Sequence, residues 1–220
     1  MATRFYLANT AWPSGLSTSV LAGWESTTGA PNLSLSRTKV GINVSRAQAE
    51  TSATSPYRQL LAQWAAGDAD VFQRDGLLGG VINLFVATQE SSTSADMYVR
   101  IRLVVIGLDG TNRTVHEVGT SASQGTEWTT TLTGRQYQIS TMIDAPVQAG
   151  ERVKLEFGYR AANTVSTSFT GTIRYGGTDA TDLVAGDTTN ATLRSPWLEF
   201  TDTKVDDLFL PSPVRHFLAA

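Results

Sequence analysis

Two histidines, His116 and His216, are the only imidazoles in the chain, and imidazole is the side chain best matched to proton transfer near neutral pH. His116 falls in an alternating stretch beside Glu117, where a structural or surface role accounts for it. Serines are plentiful, but none sits in the strand-to-helix glycine elbow that would expose a nucleophile to a base. There is no cysteine, which removes a thiol nucleophile, a thiolate zinc site and a disulfide framework together.

Acidic side chains offer two further chemistries. Asp68, Asp70 and Asp75 lie in one turn-rich stretch, and Asp179, Asp182 and Asp187 lie in a long Gly/Thr loop. Calcium takes six to eight oxygens, and such loops can supply them. Val71 and Phe72 break the EF-hand pattern in the first cluster, and Asp and Gly are ordinary turn residues. No metal or other cofactor is expected. Glu117, Glu127, Glu156 and Glu199 could form a glycosidase pair only if folding brought two of them to a suitable separation. Their positions on alternating strands read as solvated faces.

Five tryptophans (Trp12, Trp24, Trp64, Trp128, Trp197) complete the inventory. Indole rings stack on sugars as readily as they anchor cores. Trp24 and Trp128 are the candidates for glycan stacking, because each lies in a polar, Ser/Thr/Gly-rich neighbourhood.

The elements that must carry these residues are strands. Val153, Leu155, Phe157 and Tyr159 alternate with Arg152, Lys154, Glu156 and Arg160, which predicts one buried and one wet face. Met97, Val99, Ile101, Leu103 and Val105 repeat that pattern opposite Tyr98, Arg100 and Arg102, and Val104 and Ile106 predict a strand end covered on both sides. Shorter strands are expected at Arg4–Ala8, Leu78–Thr88, Arg113–Val118, Trp128–Leu132, Arg135–Ile143, Gly171–Tyr175 and Trp197–Phe200. Asp109-Gly110 marks a hairpin, and Asp144–Gly150 a turn. From Leu33 to Ser45 the apolar phase slips by one, which predicts a single strand bent near Arg37–Lys39. Tyr57–Trp64 fits a short helix or a bulged strand on the rim. The loop from Asn9 to about Pro31 is long enough that it must pack on something, with Trp12 and Trp24 as its anchors.

The fold class that follows is all-β: a jelly-roll-like antiparallel sandwich of about eight to ten strands. Residues 1–202 form the domain and 203–220 a C-terminal arm. In that arm Leu208, Phe209, Leu210, Val214, Phe217 and Leu218 are apolar, and Pro211 and Pro213 forbid a long helix. The arm either straps over its own domain or docks on a neighbour. With Phe5 and Tyr6 of the N-terminal strand, these residues are the candidate assembly contacts.

At 220 residues with a net charge of −3 and interspersed signs, the chain can bury a full core, and it lacks the basic face that a nucleic-acid partner requires. No apolar run is long enough to span a bilayer, so no membrane partner is expected. The N-terminus has no apolar core of a signal peptide, which predicts a protein made soluble in the cytoplasm.

Several segments together carry a family resemblance: Thr3-Arg4-Phe5-Tyr6-Leu7, Ala22-Gly23-Trp24-Glu25, Phe157–Asn163, Gly171–Gly176, Thr178–Leu183 and Ser195–Phe200. The set resembles structural proteins of tailed bacteriophages and prophages, over most of residues 3–201. The resemblance implies a virion component assembled in the host cytoplasm: a capsid decoration or head-fibre protein, or a part of the tail or baseplate. It implies no enzyme activity, a homo-oligomer, and other virion proteins as partners. A receptor- or glycan-binding tail module, with a host surface glycan as ligand, is the alternative. A tailspike-type hydrolase is a third reading, disfavoured by the short chain and the missing acid pair.

Overall fold

The computed structural model describes residues 2–51, 56–107, 111–118, 125–162, 168–202 and 204–210, with the backbone alone at 112–116, 118 and 140–144. Eleven strands and one short helix follow in order: Thr3–Ala11 (β1), Asn32–Ser36 (β2), Val44–Ala49 (β3), Tyr57–Ala66 (β4), Gly76–Glu90 (β5), Met97–Ile106 (β6), Asn112–Val118 (β7), Thr133–Val147 (β8), Arg152–Ala161 (β9), Thr170–Tyr175 (β10), Trp197–Phe200 (β11) and the helix Lys204–Leu208 (α1). Period-two alternation with β-branched and aromatic residues is what produces strands here.

All the strands belong to one hydrogen-bonded network that folds over itself. One half is built on β5. Its first edge carries β8, and its second carries β10 and β11 in line, since Arg174 pairs with Ala87 and Trp197 with Phe85. The other half runs β2-β4-β9-β6-β7. The corner is β1, whose Thr3–Tyr6 pairs with β11 while Tyr6 to Ala11 pairs with β2 across an irregularity after Leu7. A strand that changes sheets needs such a break.

The inner faces meet in one core. Trp64 on β4 packs edge-on against Tyr175 on β10 at 5.6 Å, and Tyr137 on β8 lies 6.1 Å from Phe157 on β9. Val153, Leu155, Phe157 and Tyr159 point inward, as do Met97, Val99, Ile101, Leu103 and Val105. Burying each large apolar side chain contributes roughly 1.5–3 kcal/mol. The all-β sandwich is therefore as expected, with eleven strands, and with one pair, β2 and β4, parallel rather than antiparallel.

Local expectations changed in four places. Leu33–Ser45 is two strands, β2 and β3, in different halves of the sandwich. The phase slip marks the loop between them, not a bend. Tyr57–Ala66 is a strand with a bulge between Leu60 and Ala62, and it lies mid-sheet between β2 and β9 rather than on the rim. Trp128–Leu132 forms no strand. It crosses between the halves, where the Trp128 N–H donates to the Met97 carbonyl and the Glu90 N–H to the Thr129 carbonyl. β8 runs on through Asp144–Pro146 to Val147, past the expected turn. Pro146 is tolerated because, among the described residues, β8 is hydrogen-bonded along one edge only. The Asp109-Gly110 turn lies outside the described residues, although β6 and β7 pair antiparallel on either side of it.

Candidate functional site

The outer face of β4, β9 and β6 carries Arg58, Arg160, Lys154, Glu156, Arg100 and Arg102. Its alternation reads as wet, yet Lys154 is 1% and Glu156 0% exposed. The cover is the segment between β1 and β2. Glu156 accepts the Leu21 N–H and the Trp24 Nε1–H, each at 2.9 Å. The Lys154 ammonium lies 2.9 Å from Glu156 and donates to the Ser19 carbonyl at 2.8 Å. Gln63 donates to the Thr18 carbonyl, and Arg102 to that of Ala22. A buried ion pair is tolerated when its remaining donors and acceptors are satisfied, and backbone groups of this strap satisfy them. Trp24 is the anchor foreseen for the loop. It is half-buried, with the Arg100 and Arg102 guanidinium carbons 5.2 and 5.9 Å from its ring. As a sugar platform it is already occupied.

Beside Trp24 runs a row of cations. Arg58 pairs with Arg160 across β4 and β9, and Arg160 with Tyr98 across β9 and β6. Arg100 and Arg102 follow on β6. Glu25 on the strap takes Arg58 at 2.7 Å, and Glu117 takes Arg102 at 2.7 Å. Arg100 reaches Glu117 only at 3.7 Å. Burial, and then Arg102, hold the Arg100 guanidinium below the usual arginine range. Burial, and then Arg58, do the same to Arg160.

The acidic clusters are bound internally. Asp68 pairs with Arg152 at 2.9 Å and Asp75 accepts the Ala149 N–H at 2.9 Å. Asp182 takes Arg4 and Lys39 at 2.8 and 2.7 Å, and Asp187 takes Arg194 at 2.9 Å. Asp179 caps its own turn through the Thr181 N–H. Among the described residues no group of three metal-ligating side chains is assembled. Of the four glutamates considered as an acid pair, Glu199 is held by Arg4 at 2.9 Å, Glu117 by Arg102 and Glu156 by Lys154. Glu127 meets instead a residue the sequence did not suggest. It approaches Glu90, which is 1% exposed at the end of β5 and accepts the Met97 N–H. Burial pushes the Glu90 carboxyl up to about 7. The Met97 N–H opposes that shift, and Glu127 and Asp96 add to it.

The candidate contact residues separate. Phe5, Leu208 and Phe209 are core side chains of this chain: Phe209 packs 5.4 Å from Phe5 and 4.9 Å from Phe72. They are not a free surface, which corrects their assignment as contacts with neighbours. From Lys204 to Leu210 the tail straps over its own domain, with Val205 and Leu208 buried and the Leu210 carbonyl accepting from Arg74. Tyr6 is half-buried beneath Lys39, and Leu210 is exposed. Val214, Phe217 and Leu218, like His216, lie outside the described residues, and the His116 side chain is not described. Sequence reasoning missed another surface. Among the described residues β3 is hydrogen-bonded to a strand on one edge only, and beside its start Ile42 is 73% and Leu193 53% exposed around a depression of about 380 Å³.

Trp128 is 1% exposed, with its ring 6.3 Å from Phe157 and 6.0 Å from Tyr159. A core indole cannot stack on a glycan, so that candidate is withdrawn. The cleft nearby, of about 540 Å³, has a mixed lining in which Thr129, Arg135, Gln136 and Gln138 stand beside Val99 and Tyr137.

No protein-family model matches the chain, and no curated protein matches it. Solved structures do. One is an α-amino acid ester hydrolase, 8% identical, with a TM-score of 0.45 over 90% of this chain and 35% of that one. Another is a CocE/NonD family hydrolase from Staphylococcus aureus, 10% identical, with a TM-score of 0.28 over 93% and 34%. The structure of infectious bursal disease virus, Gt strain, is 11% identical, with a TM-score of 0.26 over 88% and 41%. The chain thus spans about a third of the length of the hydrolases it matches.

Proposed function

We propose that the protein is a non-enzymatic structural component of a bacteriophage virion, a capsid decoration, head-fibre, tail or baseplate part, acting through protein–protein contacts in a symmetric homo-oligomeric assembly. The observation that carries this reading is the second edge of β3, which no described strand covers, flanked by exposed Ile42 and Leu193. An edge strand with free N–H and C=O groups is a template for adding another chain, and soluble proteins ordinarily shield it. Exposed apolar side chains at the same place supply the desolvated centre that such a contact needs. The family resemblance of residues 3–201 supports the setting.

Mass spectrometry of purified phage particles tests it. The protein should appear at a fixed copy number relative to the major capsid protein. Its absence from washed particles would sink the proposal. The cleft at Thr129, Gln136 and Tyr137, where polar groups stand beside an aromatic ring, favours the second reading, a glycan-binding tail module, which a glycan array separates from a pure assembly protein.

A further inference from the structure

The arginine row on the outer face carries more cation than the fold neutralises. Arg58, Arg100, Arg102 and Arg160 share Glu25, which pairs with Arg58, and Glu117, which pairs with Arg102 and at 3.7 Å with Arg100, while Glu127 and Asp96 lie towards the Tyr98 end of the row. The Lys154–Glu156 pair is closed on itself.

The Arg160 Nε and Nη1 are shielded from water without a hydrogen-bond partner, and among the described residues no carboxylate forms an ion pair with it. Arg100 is 5% exposed, its Nε is equally unpartnered, and its one ion pair is stretched to 3.7 Å. Buried guanidinium N–H groups without an acceptor are costly. Arg58 and Arg160 are also direct cross-strand neighbours, and Glu25, which pairs with Arg58, offsets their repulsion only in part. Glu25 shows how an oxyanion seats here: it takes the Arg58 guanidinium through Oε1 at 2.7 Å and the Arg58 N–H through Oε2 at 2.8 Å. The Tyr98 hydroxyl side chain flanks Arg160 on the next strand.

We propose that Arg160 and Arg100, with Arg58 and Tyr98 beside them, form a binding site for an oxyanion, a phosphate or carboxylate group of a ligand. Planar guanidinium forks suit such groups because each donates two parallel N–H bonds. A ligand oxyanion would satisfy the shielded donors and offset the remaining repulsion between Arg58 and Arg160. The site is independent of the β3 edge and of the assembly role.

The test is thermal unfolding of the full chain in sodium phosphate and in sodium succinate, each against sodium chloride at equal ionic strength. An occupied site stabilises the folded state in proportion to ln(1 + [L]/Kd). At least one of the two anions should raise Tm above the chloride control, and the stronger of them identifies the group recognised. Arg160→Gln should weaken that anion's affinity by about tenfold or more, and Arg160→Lys by less. Arg174→Gln, which removes another part-buried arginine elsewhere on the sheet, should leave the response intact. Without added anion, Arg160→Gln should leave Tm unchanged or raise it, because a repulsion is relieved. Responses to both anions no larger than to chloride would overturn the site. So would a response that survives in Arg160→Gln, or an anion-free loss of several degrees in that variant, which would make Arg160 a structural residue.

Discussion

The Lys154 ammonium and the Glu156 carboxylate, two residues apart on one strand, face each other at 2.9 Å with no solvent between. Everything that makes this tolerable comes from the strap: the Ser19 carbonyl for the lysine, and the Leu21 N–H and the Trp24 indole N–H for the glutamate. Removing one partner leaves a bare charge under that cover. Glu156→Gln should therefore destabilise the protein by about 3–5 kcal/mol, measured by urea unfolding. The strap should loosen with it, shifting Trp24 emission to the red and opening residues 12–31 to protease. A variant with wild-type stability and an unchanged cleavage pattern would contradict the argument.

Glu90 sets a pH dependence of unusual sign. Its folded carboxyl titrates at about 7, above the ordinary 4.5. Between those values the folded state holds a proton that the unfolded state has released, so stability falls as pH rises from 4.5 to 7 and levels off above. The groups facing it are Glu127, Asp96 and the Met97 N–H. The contribution is on the order of 1–3 kcal/mol. Glu90→Gln should flatten this slope and raise stability at pH 8, read from denaturant midpoints across pH 4.5–8. A slope that persists in the variant would assign it to other groups.

Two truncations divide the tail. Ending the chain after Leu210 keeps Val205, Leu208 and Phe209 in the core and should preserve the fold while abolishing incorporation into particles. Ending it after Asp202 removes those three side chains, uncovers Phe5 and Phe72, and should cost several kcal/mol at least, since a single large-to-small change at such a site costs roughly 2–5. Circular dichroism melts distinguish the two. Normal incorporation of the Leu210 truncation would remove Val214, Phe217 and Leu218 as contact residues.

Gly158 leaves no room for a methyl group. A Cβ there would lie 1.9 Å from the Gln59 carbonyl oxygen and 2.8 Å from the Trp24 ring. The first obstacle is backbone of the neighbouring strand and cannot swing aside. Gly158→Ala should lower stability by at least about 1–3 kcal/mol and weaken strap protection in hydrogen exchange. A melt equal to wild type would mean the strands separate more easily than their ladder implies.

The inner face of β9 and β6 was legible residue by residue, because alternation reports which side chains are apolar. It does not report where water is. Lys154 and Glu156 read as solvated because their cover lies well over a hundred residues earlier in the chain. The clue was the unspent one: a long loop with two tryptophans and no surface of its own, and a strand face of matched charges needing a lid. Arg58 and Arg160 became neighbours only through the β4–β9 register, and Glu90 met Glu127 through a segment with no periodicity at all. Leu208 and Phe209 misled for the opposite reason. Apolar residues beyond a closed sandwich look free, whereas here they plug its end.

β10 and β11 occupy one lane on β5, with only Val86 between their partners Ala87 and Phe85. The intervening Gly176–Pro196 leaves that lane and returns to it. It has its own small centre in Leu183 and Ala191 against Ala87, and the Leu183 carbonyl accepts the Trp197 indole N–H at its exit. Between those ends Asp182 is tied to β1 through Arg4, and Asp187 and Gly186 to the start of β8 through Gly134. The excursion therefore works as a clasp: it joins two strands that share a lane and, in passing, fastens the corner strand and β8 to the same end of the sandwich.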